Sequence, residues 1–282
     1  MANIAQDITN GIIEQLEKGV IPWVKPWQSK PDEAMPHNPA SGTYYKGINF
    51  LWLTMMHNGG KYGSSSQWMT YNQAKTLGAQ VKRGAKGVQV LFYKKITVAD
   101  KNSETGSKIV PMLKTYTVFN ADFIDGLPEQ SITESVTFEE SPNCELFVSN
   151  SGADIRHGGD KAFYSPAADF IQLPKHSDFN TGADYYGTLL HELSHWTGHD
   201  SRLNRDFSQS KKWGDNAYAM EELVAELGSA MLCAHNKIDG KLQHASYIDS
   251  WLQVLKSDNR AILKASAEAQ KILDYLTDKK VA

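Results

Sequence analysis

Residues 182–199 read GADYYGTLLHELSHWTGH, and the reading of the C-terminal half turns on this stretch. Tyr185, Tyr186, Leu189, Leu190 and Leu193 give it an apolar stripe, and Thr181 is a good N-cap, so a core helix is expected from about Thr181 to Thr197. Positions four apart stack on one helix face, so His191 and His195 can direct their imidazoles at one ion. Glu192, next to the first of them, can reach a water held in that ion's open position. The spacing suits a metal-assisted hydrolase: the ion lowers the water's pKa and polarises a carbonyl, while Glu192 takes the proton. Zinc is the default for two histidines and a carboxylate, with manganese as the alternative.

A third ligand is required, and the next helix, expected over 217–235, supplies candidates in YAMEELVAELGSAML. At 100° per residue, Leu223, Val224, Leu227, Ala230 and Met231 share one side, while Glu222, Glu226 and Ser229 share the other. Glu222 is the expected ligand. Glu226, one turn on, is placed to orient a ligand histidine through its free ring N–H. Glu221, at the border of the apolar stripe, is the alternative ligand. His199 lies eight residues beyond His191, about 12 Å along a straight helix, so it is expected to turn away. Ser201 stands where an extended three-histidine motif would need its last histidine, which excludes that class. His157 and Tyr218 are candidates for stabilising an oxyanion.

The chain has 282 residues, enough for two ordinary domains, and 41% hydrophobic with 22% charged residues is a globular composition. Its only cysteines, Cys144 and Cys233, are far apart, so no disulfide framework is expected and a reducing cytoplasm is the natural setting. The first residues do not form a secretory signal. No apolar run approaches the roughly 20 residues of a membrane span, so no membrane partner is expected.

The net charge of −3 hides an asymmetry. Residues 1–130 carry 14 Lys/Arg against 10 Asp/Glu, whereas residues 131–282 carry 15 against 22. From Ala34 to Ala99 there is no acidic residue, but there are eight cations, interleaved with aromatic rings. Cations tracking a backbone, with rings on which bases stack, are what sequence-tolerant single-stranded DNA binding needs. Lys46, Trp52, Trp68, Lys82, Arg83, Lys86, Tyr93 and Lys94 are the candidate DNA-binding residues. Lys82, Arg83 and Lys86 sit on a glycine-containing turn where phosphates can also meet backbone N–H groups.

Along the chain, Ile4, Ile8, Ile12 and Leu16 predict an amphipathic first helix closed by Gly19. Five prolines between Pro22 and Pro39 then impose an irregular segment carrying Trp23 and Trp27. A short helix is expected from Thr70 to Gly78, and strands over 87–98 and 109–119, joined by the polar DKNSETGS at 100–107. The acidic, Ser/Thr-rich residues 126–143 read as a linker. Beyond them, 153–156 and 162–173 read as a strand pair joined by HGGD, and one or two helices are expected over 247–276. The fold class is therefore α+β in two domains: residues 1–125 for nucleic acid, and residues 144–282 for the metal site.

Three strings, PHNPASGTYYKGINFLWL, WMTYNQAKTLGAQVKRGAKGVQVLFY and HELSHWTGH followed by YAMEELVAELG, together resemble ArdC-type antirestriction proteins, and the N-terminal part also resembles TraC-type conjugative primases. The resemblance implies a single-stranded-DNA-binding N-terminal domain and a zincin-like metallopeptidase domain. It implies a plasmid-borne protein that protects incoming DNA from host restriction, with a restriction enzyme or another protein as its target. By position it implies His191, His195 and a glutamate of EELVAE as ligands and Glu192 as the catalytic residue. Two other readings stay open: a DNA-binding protein whose metal is purely structural, and a primase-associated protein. The last is disfavoured because no acidic cluster suited to two-metal nucleotidyl transfer is evident.

Overall fold

The computed structural model describes residues 4–23, 35–58, 62–63, 65–99, 107–127, 141–207, 216–239 and 247–278. Trp27, the polar connection at 100–106 and residues 128–140 of the expected linker lie outside the described residues. The first part contains helix α1 (Ile4–Glu17), strands β1 (His37–Asn38) and β2 (Thr43–Tyr44), helix α2 (Ile48–Asn58) and strand β3 (Trp68–Thr70). It continues with α3 (Tyr71–Thr76), β4 (Gln80–Val81), β5 (Val88–Ala99), β6 (Ser107–Asn120) and β7 (Ile124–Asp125). The second part comprises α4 (Pro142–Ser151), β8 (Asp154–His157), β9 (Phe163–Ser165), β10 (Phe170–Leu173), α5 (Gly182–Trp196), α6 (Ala217–His235), α7 (Ile248–Ser257) and α8 (Ala261–Asp278). The mixed α+β class expected from the sequence is what the structure shows.

In the first part, β3, β6 and β5 form an antiparallel sheet in that order. Val88, Val90 and Val118 on its inner face close over Trp68 and over Leu53 of α2. The α3 helix is short and doubly capped. Thr70 accepts from the backbone N–H of Gln73 while Gln73 reaches back, and Gly78 follows with the left-handed φ of 77° that a β-carbon would resist.

The second part is a helical core with a small sheet beside α5. Residues 162–173 do not make one strand. Ser165 and Asp169 bracket a proline-containing turn, so β9 and β10 form a hairpin, and β8 joins the far edge of β10 in parallel. A helix also occupies residues read as the end of the linker and beyond. Ser141 caps α4, Pro142 opens it, and Gly152 ends it at φ 74°. A serine followed by proline opens the helix here, within residues whose polar, acidic composition reads as linker.

Helix α6 is buried from Ala219 to Cys233 apart from Glu221, because α5 covers one side and α8 another. The close approach depends on Gly228, where a β-carbon would meet Ile272 Cδ1 at 2.7 Å and Ser194 Oγ at 3.0 Å. Both cysteines are buried free thiols in this core, and burial pushes the Cys233 thiol up to about 12.

The first helix belongs to the same core. Ile4, Ile8, Ile12 and Leu16 are buried as the four-residue spacing requires, and α1 lies on α7, with Thr9 Oγ1 donating to the Asn259 carbonyl at 2.8 Å. Trp23 packs at 5.6 Å from Trp251. The loop before α2 is tied to α8 by Lys46–Asp274 at 3.1 Å and by the Gly47 N–H donating to Gln270 at 2.9 Å. Truncating Ile12 therefore destabilises the helical core that carries α6. Ile12→Ala should lower unfolding free energy by about 2–5 kcal/mol, read from denaturant unfolding. A loss below about 1 kcal/mol would contradict this packing.

Candidate metal centre and nucleic-acid face

Thr181 opens α5 by accepting from the Asp184 N–H at 3.1 Å, and the helix ends at Trp196. Within it His191 and Glu192 are buried and His195 is largely so. The two imidazole Nε2 atoms stand 3.2 Å apart. Glu222 of α6 completes the group, one oxygen 3.7 Å from His191 Nε2 and the other 3.6 Å from His195 Nε2. A tetrahedral ion with bonds of about 2.0–2.1 Å separates its ligand atoms by about 3.3 Å. The nitrogen pair is at that spacing, and one oxygen of Glu222 lies within 4.8 Å of both nitrogens.

The far side of each imidazole is also engaged by a carboxylate. His191 Nδ1 lies 3.4 Å from Glu226, which is fully buried, and His195 Nδ1 lies 3.2 Å from Glu221. A carboxylate behind Nδ1 holds the proton there and leaves the Nε2 lone pair for a cation. Glu222 thus faces the two Nε2 atoms, and Glu226 faces the back of His191. Glu221 faces the back of His195 rather than the cluster of Nε2 atoms.

Arg205 explains why. Its side chain is 2% exposed, and it grips both Glu221 oxygens at 2.6 and 2.9 Å while also donating to the Ser194 carbonyl. Gly198 makes room for it, since a β-carbon there would lie 2.9 Å from Arg205 Nη2. Sequence reasoning missed Arg205, because no motif links a loop arginine to a glutamate 16 positions on.

The electrostatics call for positive charge at this point. Burial opposes a charged His191, but the Glu222 and Glu226 carboxylates outweigh it and raise its pKa well above the ordinary imidazole value. His195 shifts the same way, with burial overcome by Glu221 and Glu222. Burial would raise Glu222, yet the two histidines hold its pKa far below the carboxylate range. Two imidazoles 3.2 Å apart beside a carboxylate need a proton or a cation between them, and the donor set fits a divalent ion.

Glu192 makes no hydrogen bond or ion pair among the described residues, and its charge acts on the neighbouring His191. Tyr218, which is exposed, borders Glu222 and shares a 3.0 Å hydrogen bond with Tyr247. His157 instead bonds the Tyr185 hydroxyl at 2.9 Å, and His199 turns away to Ser201 at 2.8 Å.

The eight DNA candidates divide. Trp68 is wholly buried against Leu53 and the sheet valines, so it is a core residue and no base can stack on it; this corrects the sequence expectation. Trp52 is half-buried between the two cores. Lys46 is paired with Asp274, and Lys82 with Asp125 at 3.4 Å. Arg83, Lys86, Tyr93 and Lys94 are exposed.

Two outcomes are expected of the metal centre. Glu222→Ala should strip metal from the purified chain, whereas Glu221→Ala should lower affinity by about 10–100-fold; the reverse order, by metal analysis, would exchange their roles. Because the neighbouring carboxylates raise the pKa of both ion-free histidines, metal uptake should release protons and affinity should rise with pH. Calorimetry in buffers of different ionisation enthalpy would contradict this if no proton were released.

Residues 142–268 match the zincin-like metallopeptidase family, and residues 2–119 match the N-terminal domain of anti-restriction factor ArdC. The crystal structure of the antirestriction ArdC protein from the R388 plasmid, metal-free, superposes with a TM-score of 0.84 at 42% identity, covering 98% of this chain and 97% of that one. Its Mn(II)-bound structure gives 0.79 at 41% identity, covering 98% of each. A DNA primase TraC from Escherichia coli is 39% identical over 95% of this chain, which spans only 19% of that protein. An uncharacterized protein, y4eC, from Sinorhizobium fredii is 36% identical, covering 97% of this chain and 91% of its own. No described helix is long and apolar enough to cross a membrane. The chain belongs to the ArdC family of antirestriction proteins, with a zincin-like domain in its C-terminal half.

Proposed function

We propose that this chain protects incoming DNA from restriction by binding single-stranded DNA through its N-terminal half and cleaving a protein, such as a restriction component, at a metal centre in its C-terminal half. The observation that carries the enzymatic reading is the convergence of His191, His195 and Glu222, with Glu192 next to His191 on the same helix. His191, His195 and Glu222 would hold the ion, zinc by the chemistry of the donor set, with manganese supported by the relative from R388. Bound there, a divalent cation would acidify a water and polarise the carbonyl of a scissile amide.

The chain's own groups do the rest. Glu192 takes the proton from the attacking water and passes it to the leaving amine. Tyr218, which borders Glu222, would donate to developing charge on the carbonyl oxygen. Glu226 and the Arg205–Glu221 pair hold the two imidazoles in register from behind. Arg83, Lys86, Tyr93 and Lys94 supply exposed cations and a ring for the DNA strand.

Glu192→Gln separates an enzyme from a protein with a structural metal. The variant should keep its metal and its DNA affinity while losing peptide hydrolysis by at least about 100-fold, measured on a restriction-enzyme subunit or a peptide library. Antirestriction that survives this substitution unchanged, with no cleavage by the parent, would assign the centre a structural role.

A further inference from the structure

β5 and β6 pair continuously from Val88–Val118 to Ala99–Ser107. The base of this ribbon is anchored. β3 pairs with β6 at residues 118–120, and the Asn49 side chain brackets the backbone of Leu91, donating at 2.6 Å and accepting at 2.8 Å. Beyond Leu91 the side chains change character. Phe92, Tyr93, Leu113 and Tyr116 are all exposed, so this one ribbon holds four of the eleven large hydrophobic residues exposed among the described residues. Scattered single apolar residues on a surface need no explanation, but a cluster on one element does.

The register shows how they are arranged. Cross-strand partners share a face, so Val90–Tyr116, Phe92–Lys114 and Lys94–Met112 lie on one side of the ribbon. Phe92 and Tyr116 are diagonal neighbours, their ring centroids 5.8 Å apart at 81°. Lys114 and Lys94, both exposed, flank them. Tyr93 and Leu113 form the exposed pair on the opposite side. Neither strand contains an acidic residue.

We propose that the outer half of the β5–β6 ribbon is a stacking platform for single-stranded DNA, with Phe92 and Tyr116 receiving bases and Lys94 and Lys114 the phosphates. The inference rests on the reading that the N-terminal half binds single strands, and gives that activity a place. The chemistry selects the occupant. Exposed rings beside lysines, with no acidic residue on either strand, suit a partner that combines flat apolar faces with regular negative charge. A duplex keeps its base faces stacked away, so the single strand is the form that matches.

The test measures binding of a labelled oligothymidylate to the full chain. Phe92→Ala and Tyr116→Ala should each weaken binding about tenfold, and Phe92→Tyr should retain it. Lys94→Gln with Lys114→Gln should reduce the log–log salt slope by about 1.4. A parent that binds with ring and lysine variants unchanged would overturn the platform and leave single-strand binding to Arg83, Lys86 and their neighbours. A parent that does not bind would overturn both. Equal binding of a duplex, equally sensitive to the rings, would reassign the ribbon to double-stranded DNA. A parent dimer dissociated by the ring substitutions would reassign it to self-association. If a variant fails to fold, photocrosslinking of an iodouracil oligonucleotide to the parent decides: adducts within 88–99 or 107–119 support the platform, and adducts confined elsewhere overturn it.

Discussion

The C-terminal half is organised around one electrostatic constraint: buried carboxylates of α6 face two imidazoles of α5 across a gap sized for an ion. Glu226 is fully buried and Glu222 nearly so. Uncompensated charge at that depth is costly, so the arrangement is stable only with positive charge between the helices. Much of the surrounding structure serves this requirement. Gly228 lets α5 and α6 approach, α8 closes the other side of α6, and Arg205 neutralises Glu221 behind His195.

The two helices contribute different things. From α5 come the two imidazoles and Glu192, at a spacing fixed by helical geometry. From α6 come the Glu222 carboxylate facing both Nε2 atoms and two carboxylates behind the imidazoles, within the six residues from Glu221 to Glu226. Glu221 and Glu222, adjacent in sequence, point to opposite sides of His195 because successive residues diverge by about 100° around a helix.

Legibility in the sequence followed the range of the interaction. The α5 and α6 helices, the His191–His195 face and the Glu222–Glu226 face were readable because each rests on periodicity within one helix. The capped α3 helix and the β5–β6 pair were readable from Thr70, Gly78 and the polar break between two β-rich runs. Arg205 was not, since its partnership with Glu221 exists only once the loop after α5 folds over Gly198. Trp68 misled for the opposite reason: an aromatic residue among lysines reads as a surface platform, and only the three-strand sheet reveals that it points inward. The ribbon rings Phe92 and Tyr116 are distant in sequence, and antiparallel pairing alone makes them neighbours. The α4 helix was legible in its caps but hidden by composition.

Anomalous diffraction from crystals of the chain grown with zinc or manganese tests the metal centre most directly. The account predicts one strong peak about 2.0–2.2 Å from His191 Nε2, His195 Nε2 and a Glu222 oxygen, with Glu221 outside the coordination sphere. Density between the two helices without an anomalous signal, or a peak bound to Glu221 in place of Glu222, would contradict it.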